Sequence, residues 1–202
     1  MGYHGNGGVA DGVLPIVLAS GSPRRAELLR QVGLPFEVVT SGVDEEASAV
    51  GVRSPREVAR RRAAAKAGAV AGLRPGRLVL GADTVVCCRG RILDKPVDAR
   101  AAEDMLRLLS GRSHCVLTAI ALVCRGETTE AVEYARVVFR RLDDAEIRRY
   151  AASPEPLDKA GGYALQGAAA AFVRRIAGEY TTVVGLPLCR LSVMLRRYGI
   201  RS

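Results

Sequence analysis

Three groups of residues carry chemistry. The first is Ser20-Gly21-Ser22-Pro23-Arg24-Arg25. A chain that passes from small residues into a helix presents free backbone N–H groups, and the positive end of the helix, to an anion. Arg24 and Arg25 add fork-shaped donors matched to phosphate oxygens. Arginine in a first helical turn opposes the dipole, and a bound anion would offset that opposition; the alternative is a solvated helix start with surface arginines.

The second group is Gly81-Ala82-Asp83-Thr84. Asp83 lies between Leu78-Val79-Leu80 and Val85-Val86, where an unpaired carboxylate is expensive. Such a residue is a metal ligand, a general base, or a structural acceptor for backbone N–H groups.

The third group is the lysines. Thirty cationic residues include lysine only at positions 66, 95 and 159. Lys66 is expected on the exposed side of the helix bearing Arg60-Arg61-Arg62, with Arg62 four residues before it as a like-charge neighbour. Lys95 precedes Pro96, which fixes a turn. Lys159 opens the glycine-rich stretch Asp158 to Gly167, where the Gln166 amide has the donors and acceptors to read a base edge.

The elements that must position these groups follow from periodicity. Ile16-Val17-Leu18-Ala19 reads as a buried strand, with Ser22 capping a helix from Pro23 to about Val32. Phe36 to Thr40 reads as a second strand, followed by the acidic patch Asp44-Glu45-Glu46. Ser54-Pro55-Arg56-Glu57 has the form of a capping box opening a helix to about Ala71. Leu78 to Cys88 is an apolar strand interrupted at Asp83-Thr84, and Ile92-Leu93 can pair back on it through Arg89-Gly90. Asp98 caps a third helix, stopped by Gly111. His114 to Val123 and Glu130 to Arg140 flank a turn at Arg125-Gly126 as a hairpin. Asp143 and Glu146 open a helix, Ala170 to Ile176 reads as a strand, and Gly185-Leu186-Pro187 starts the last helix. Crossover and hairpin connections together predict a mixed sheet in an α/β domain.

Composition narrows the function classes. The 202 residues are 49% apolar and 25% charged, ordinary globular values that argue against disorder and coiled coil. No run approaches the length of a membrane span. Residues 1–12 hold five glycines and no apolar block, and are read as a mobile tail ahead of a single domain over residues 13–202. Without an export signal, and with five cysteines that make a poor disulfide frame, the expected compartment is the cytoplasm. Two histidines and no C-x-x-C argue against a zinc site. The net charge of +9 favours anionic ligands. Three Phe, six Tyr and no Trp leave few stacking platforms for single-stranded nucleic acid, so no stable nucleic-acid partner is expected. No Gly-Lys dipeptide exists for a P-loop, and neither H-E-x-x-H nor G-x-S-x-G occurs. His114 is read as a core histidine, and Cys87-Cys88 as strand packing.

Leu18-Ala19-Ser20-x-Ser22-Pro23-Arg24-Arg25-x-Glu27-Leu28-Leu29 resembles the opening motif of the Maf (septum-formation) nucleotide pyrophosphatases. Gly81-Ala82-Asp83-Thr84-Val85-Val86, Lys95-Pro96, Asp158-Lys159-Ala160-Gly161 and Gly185-Leu186-Pro187-Leu188 are similar to later motifs of that family, in order, over about residues 14 to 197. The resemblance implies hydrolysis of a nucleoside triphosphate to the monophosphate and pyrophosphate with a divalent metal cation, Mg²⁺ or Mn²⁺. It implies a twisted mixed β-sheet flanked by helices, with two lobes and a central cleft, like that of the inosine-triphosphate pyrophosphatases. It makes Asp83 the proton acceptor and Glu45 its partner at the metal, with Ser20, Arg25, Lys66 and Lys95 holding phosphates. Within the family, the stretch from Asp158 to Gly167 is similar to the dTTP/UTP-hydrolysing branch, whose pyrimidine preference falls on Arg24, Thr84 and Gln166. Ala164 and Leu165 depart from that branch's usual Gly and Ile. The family commonly forms homodimers. Its name also leaves a second reading, a catalytically weak nucleotide- or nucleic-acid-binding regulator of cell division.

Overall fold

A computed structural model describes residues 15–201; the tail expected over residues 1–12 lies outside the described residues. Among the described residues seven strands form one mixed sheet, in the spatial order Phe36–Val38, Ile16–Leu18, Val79–Cys88, Ser113–Cys124, Glu127–Phe139 and Val173–Ala177, with Arg91–Leu93 added to Val79–Cys88. The chain enters through β1 (Ile16–Leu18), α1 (Pro23–Gln31), β2 (Phe36–Val38) and a short 3-10 turn (Ala47–Ala49). It continues through α2 (Pro55–Leu73), β3 (Val79–Cys88), β4 (Arg91–Leu93) and α3 (Ala99–Leu109). The long hairpin β5 (Ser113–Cys124) and β6 (Glu127–Phe139) precedes α4 (Asp144–Ala151), β7 (Val173–Ala177), α5 (Tyr180–Val184) and α6 (Leu188–Leu195).

The first three strands are parallel because helices α1 and α2 return the chain to the same end of the sheet. The remaining pairings are antiparallel. Arg89-Gly90 and Arg125-Gly126 close two hairpins, all four residues at positive φ, as two-residue hairpin turns require. Helix α2 packs on one face through Val58, Ala59, Ala63, Ala67 and Val70. The other face carries two clusters, one around α1 and α6 and one around α3 and α4, bridged by Leu165, which packs against both. The expected mixed α/β sheet flanked by helices is therefore present. No helix among the described residues is long and apolar enough to cross a membrane.

One feature of the pairing creates the site. Strand β1 has three residues and pairs with β3 as far as Leu80, whereas β4 pairs with β3 from Val86 onward. Between these two points the outer edge of β3 has no strand partner among the described residues. Asp83 and Thr84 occupy that gap, pointing to opposite faces as strand alternation requires.

Several local expectations are corrected. The strand expected over Leu78 to Cys88 is present as β3; Asp83-Thr84 breaks its apolar run but not its pairing, because β5 pairs with every residue from Val79 to Cys87. Ser54 starts α2 without a side-chain cap, and Glu57 is drawn instead to Arg60 and Arg61. Ser22 likewise makes no side-chain cap for α1. Residues Ala168–Phe172 form a 3-10 turn, so β7 begins at Val173 rather than at position 170. Helix α5 was not anticipated, because its Thr-Thr-Val-Val run has weak helical propensity.

Candidate active site

A cleft of about 440 Å³ opens at the gap in β3, lined by the 20–25 segment, Glu45, Lys66, Asp83, Thr84, Lys95 and the 158–166 loop. Its volume falls within the range of small-molecule sites. It lies at the carboxyl end of β1, where parallel connections leave in opposite directions and ligand crevices form.

Its floor is set by helix–strand contact. A Cβ on Gly81 would stand 2.3 Å from the Ala63 carbonyl oxygen and 2.8 Å from the Ala67 nitrogen. Glycine there lets α2 lie directly against β3, and this approach carries Lys66 onto Asp83. Lys66 Nζ is 2.6 Å from Asp83 Oδ1 and 2.9 Å from Glu45 Oε1. Lys66 is therefore buried at 6% exposure, contrary to the expected solvent-facing position. Its spacing from Ala59, Ala63 and Val70 puts it on the apolar stripe, and the charge misled the assignment. Arg62, the like-charge neighbour, is also turned inward: its Nε donates to the Glu45 carbonyl at 3.1 Å and its Nη1 contacts Asp94 Oδ1 at 3.0 Å. The anions that this helix face meets are the protein's own carboxylates, Glu45, Asp83 and Asp94.

Glu45 is held by local chemistry. Asp44 Oδ1 accepts from the Glu46 and Ala47 amides, and Ser48 Oγ donates to the Glu45 carbonyl at 2.8 Å. Lys95 reaches Glu45 Oε2 at 3.7 Å. Burial tends to raise the Glu45 pKa, but Lys66, Lys95 and Arg25 outweigh it and hold the carboxyl below its ordinary range. Asp83 is more deeply buried, and there desolvation prevails over Lys66 and Arg25, so its pKa is raised. Asp83 Oδ2 is buried without a hydrogen-bond partner.

The opposite wall belongs to Arg25. Its Nε donates to the Gly185 carbonyl at 2.9 Å, Nη1 to Ser20 Oγ at 2.9 Å and Nη2 to Thr84 Oγ1 at 3.4 Å. Thr118 Oγ1 donates to the Thr182 carbonyl at 2.7 Å, so Thr84 must donate to Thr118 at 3.0 Å and accept from Arg25. No local pattern marks this relay in the sequence, because it joins side chains and backbone of three separate elements, β3, β5 and α5. No carboxylate comes within ion-pair distance of Arg25 among the described residues, leaving its charge for a ligand. The first turn of α1 contains no acidic residue, so no carboxylate of that turn neutralises the positive end of the helix. Arg24 and Lys159 both lean on Asp158, Arg24 at 3.8 Å. Gln166 is exposed on the cleft rim.

A divalent cation fits the donor set. Asp83 and Glu45 supply hard carboxylate oxygens, one of them unpartnered, and no group of three ligating side chains occurs among the described residues. Carboxylate oxygens are the donors that a hard ion such as Mg²⁺ takes, one or two at a time.

His114 and the cysteines stand apart. His114 is 2% exposed, with Nε2 2.8 Å from the Tyr163 hydroxyl, and burial lowers its pKa to about 4. It is a core histidine, as expected. Cys88 is buried in strand packing and Cys87 is half-buried.

The family model described as Maf-like protein matches residues 15–198. A dTTP/UTP pyrophosphatase of Pelotomaculum thermopropionicum is 50% identical over 186 residues, covering 91% of this chain and 96% of that protein. A dTTP/UTP pyrophosphatase of Symbiobacterium thermophilum is 51% identical over 184 residues, covering 91% and 94%. Among solved structures, a HAM1 protein from Coxiella burnetii aligns with a TM-score of 0.44 at 18% identity, over 64% of this chain and 75% of that one. The matched span contains every cleft residue described above, and the chain belongs to the Maf-like protein family.

Proposed function

We propose that this protein hydrolyses nucleoside triphosphates, dTTP and UTP by preference, to the nucleoside monophosphate and pyrophosphate. The observation that carries the chemistry is the buried Lys66–Asp83 contact at the cleft floor, with one Asp83 oxygen left unpartnered. The base preference is taken from the relatives' activity and from Gln166 on the rim. The domain assignment, residues 13–202, is part of the same proposal. Five free thiols support a reducing, cytoplasmic setting.

Asp83 acts as general base. Lys66 holds Oδ1 by a short charge-assisted bond, which fixes the carboxylate and leaves Oδ2 to accept a proton from water. The water oxygen bonds to the α-phosphorus, the bond from that phosphorus to the bridging oxygen breaks, and pyrophosphate leaves. The raised pKa of Asp83 makes it a better proton acceptor than an exposed aspartate. Arg25, pre-set by Ser20, Thr84 and Gly185, and the open end of α1 receive phosphate oxygens, with Lys95 at the rim. Asp83 and Glu45 would hold Mg²⁺ or Mn²⁺, which supplies neutralisation of phosphate charge and of the leaving pyrophosphate.

A binding protein without turnover is not favoured, because Asp83 and Glu45 are both present and both contact Lys66. Pyrophosphate release from dTTP, UTP, CTP, GTP, ITP and 7-methyl-GTP with Mg²⁺ or Mn²⁺ tests the proposal. Preferential release from dTTP and UTP is expected. Saturable nucleotide binding without release from any would reinstate the binding protein.

A further inference from the structure

Gln166 stands on a four-residue turn, Ala164 to Gly167, closed by one backbone bond from the Gly167 N–H to the Ala164 carbonyl at 3.1 Å. Both ends of this turn are gripped from behind by side chains that do not line the cleft. At the start, the buried Ala164 N–H donates to the Tyr150 hydroxyl at 3.0 Å. At the end, the Ala168 N–H donates to Glu155 Oε2 at 3.2 Å. The two grips are joined, because the Tyr150 hydroxyl donates to Glu155 Oε1 at 2.8 Å. Tyr150 is 5% exposed on α4, and burial with the nearby Glu155 carboxylate pushes its phenol pKa well up, so the hydroxyl keeps its proton.

The fit around the carboxylate is close. A Cβ on Gly167 would lie 2.2 to 2.5 Å from the Glu155 carboxyl atoms. Glycine at 167 thus lets the carboxylate lie against the turn, and any side chain there would displace it. The backbone of Glu155 is itself tied to the cleft loop, through Lys159 Nζ at 2.9 Å from its carbonyl oxygen.

We infer that Tyr150 and Glu155 are positioning residues for nucleobase discrimination: they fix the height and tilt of the 164–167 turn and hence where the Gln166 amide meets the base. The inference rests on Gln166 reading the base, as proposed above. It extends the specificity apparatus to a second layer, on α4 and the 152–157 segment, outside the cleft.

The test compares kcat/KM for UTP and CTP, which differ at the base edge an amide would read, in wild type, Tyr150→Phe, Glu155→Ala, Glu155→Gln and Gly167→Ala. Within each variant the ratio is insensitive to the fraction of protein that is folded, so a merely structural defect lowers both values and leaves the ratio alone. Tyr150→Phe strands the Ala164 N–H and frees the start of the turn, and a displaced Gln166 amide is expected to lower the UTP:CTP ratio by about tenfold, the discrimination of one hydrogen bond. The fall should reside in KM for UTP rather than in kcat. Glu155→Ala and Gly167→Ala should lower the ratio similarly. Glu155→Gln should restore only part of it, since its single amide oxygen replaces two carboxylate oxygens that accept separately from Tyr150 and Ala168. A wild-type ratio well above one that persists in Tyr150→Phe and Glu155→Ala overturns the clamp and leaves the base-reading role intact. A wild-type ratio near one, or no hydrolysis, removes the base-reading role and the clamp with it.

Discussion

Lys66 Nζ lies 2.6 Å from Asp83 Oδ1, and the other oxygen of the same carboxylate is buried without a partner. The two side chains are 7% and 5% exposed, so solvent screens neither. One ammonium thereby keeps a buried carboxylate available while engaging only half of its accepting capacity. Glu45, 2.9 Å from the same ammonium and 34% exposed, completes a cluster that grades from the dry floor to the wet mouth of the cleft.

Replacing Lys66 by Met should show what this contact contributes. Removal of one partner from a buried ion pair costs about 3–5 kcal/mol, the lower end being expected here because Asp83 can take up a proton. A fall in the urea midpoint with an unchanged m-value is the measurement. Adding Asp83→Asn to Lys66→Met should cost less than the two single changes summed, since the stranded charge is gone.

Gly81→Ala tests the close approach of α2. Its Cβ would enter the Ala63–Ala67 backbone at 2.3 and 2.8 Å, neither of which is a flexible side-chain end. Overpacking of this kind costs about 1–3 kcal/mol. Because the helix that must move carries Lys66, hydrolysis should fall more than stability alone explains. Melting and steady-state kinetics on the same preparation separate the two effects.

His114 gives the fold a pH dependence of known sign. Its pKa is lowered from 6.5 to about 4 by burial, so the unfolded chain takes up a proton before the folded one does. Its contribution to stability is complete above pH 6.5 and is lost as pH falls toward 4. The loss amounts to about 3 kcal/mol over that window at about 1.4 kcal/mol per pH unit. Chemical denaturation at intervals between pH 7 and 4 should show this slope, and His114→Gln should flatten it.

Arg25→Lys should weaken binding of the substrate and of pyrophosphate as a product inhibitor. Lysine cannot reproduce the three-way anchoring to Gly185, Ser20 and Thr84, so its charge would no longer be fixed at the end of α1. An approximately tenfold rise in the pyrophosphate inhibition constant is expected for a lost charge-assisted, pre-set contact.

Much of this architecture was legible in the sequence, because local signals agree with the global fold. Pro23 and Gly33, Asp98 and Gly111, and Asp143 with Glu146 bound helices where backbone chemistry demands it, and Asp98 and Asp143 do accept from the amides expected of caps. The cleft residues Ser20, Arg25, Asp83 and Lys95 were marked by charge or small size in apolar settings. Lys66 lies inside although its charge and its neighbours Arg60-Arg61-Arg62 predict a solvated face, because its spacing from Ala63 and Val70 puts it on the buried stripe of α2. The capping box at Ser54 did not form because Glu57 has two arginine partners within reach, at 2.8 and 2.9 Å. The Thr84–Thr118–Thr182 relay and the bonds that tie Tyr150 and Glu155 to the 164–168 backbone arise where separate segments meet in the fold, so no local pattern marks them.

In the proposed mechanism Asp83, held by Lys66, accepts the proton from water. The most direct measurement is single-turnover hydrolysis of UTP by Asp83→Asn with saturating Mg²⁺, alongside nucleotide binding by the same variant. Loss of a general base predicts a rate lowered by about 100-fold to 10,000-fold, with the fold intact and the nucleotide still bound. A variant that binds UTP and turns it over within a few-fold of the wild-type rate would contradict the account.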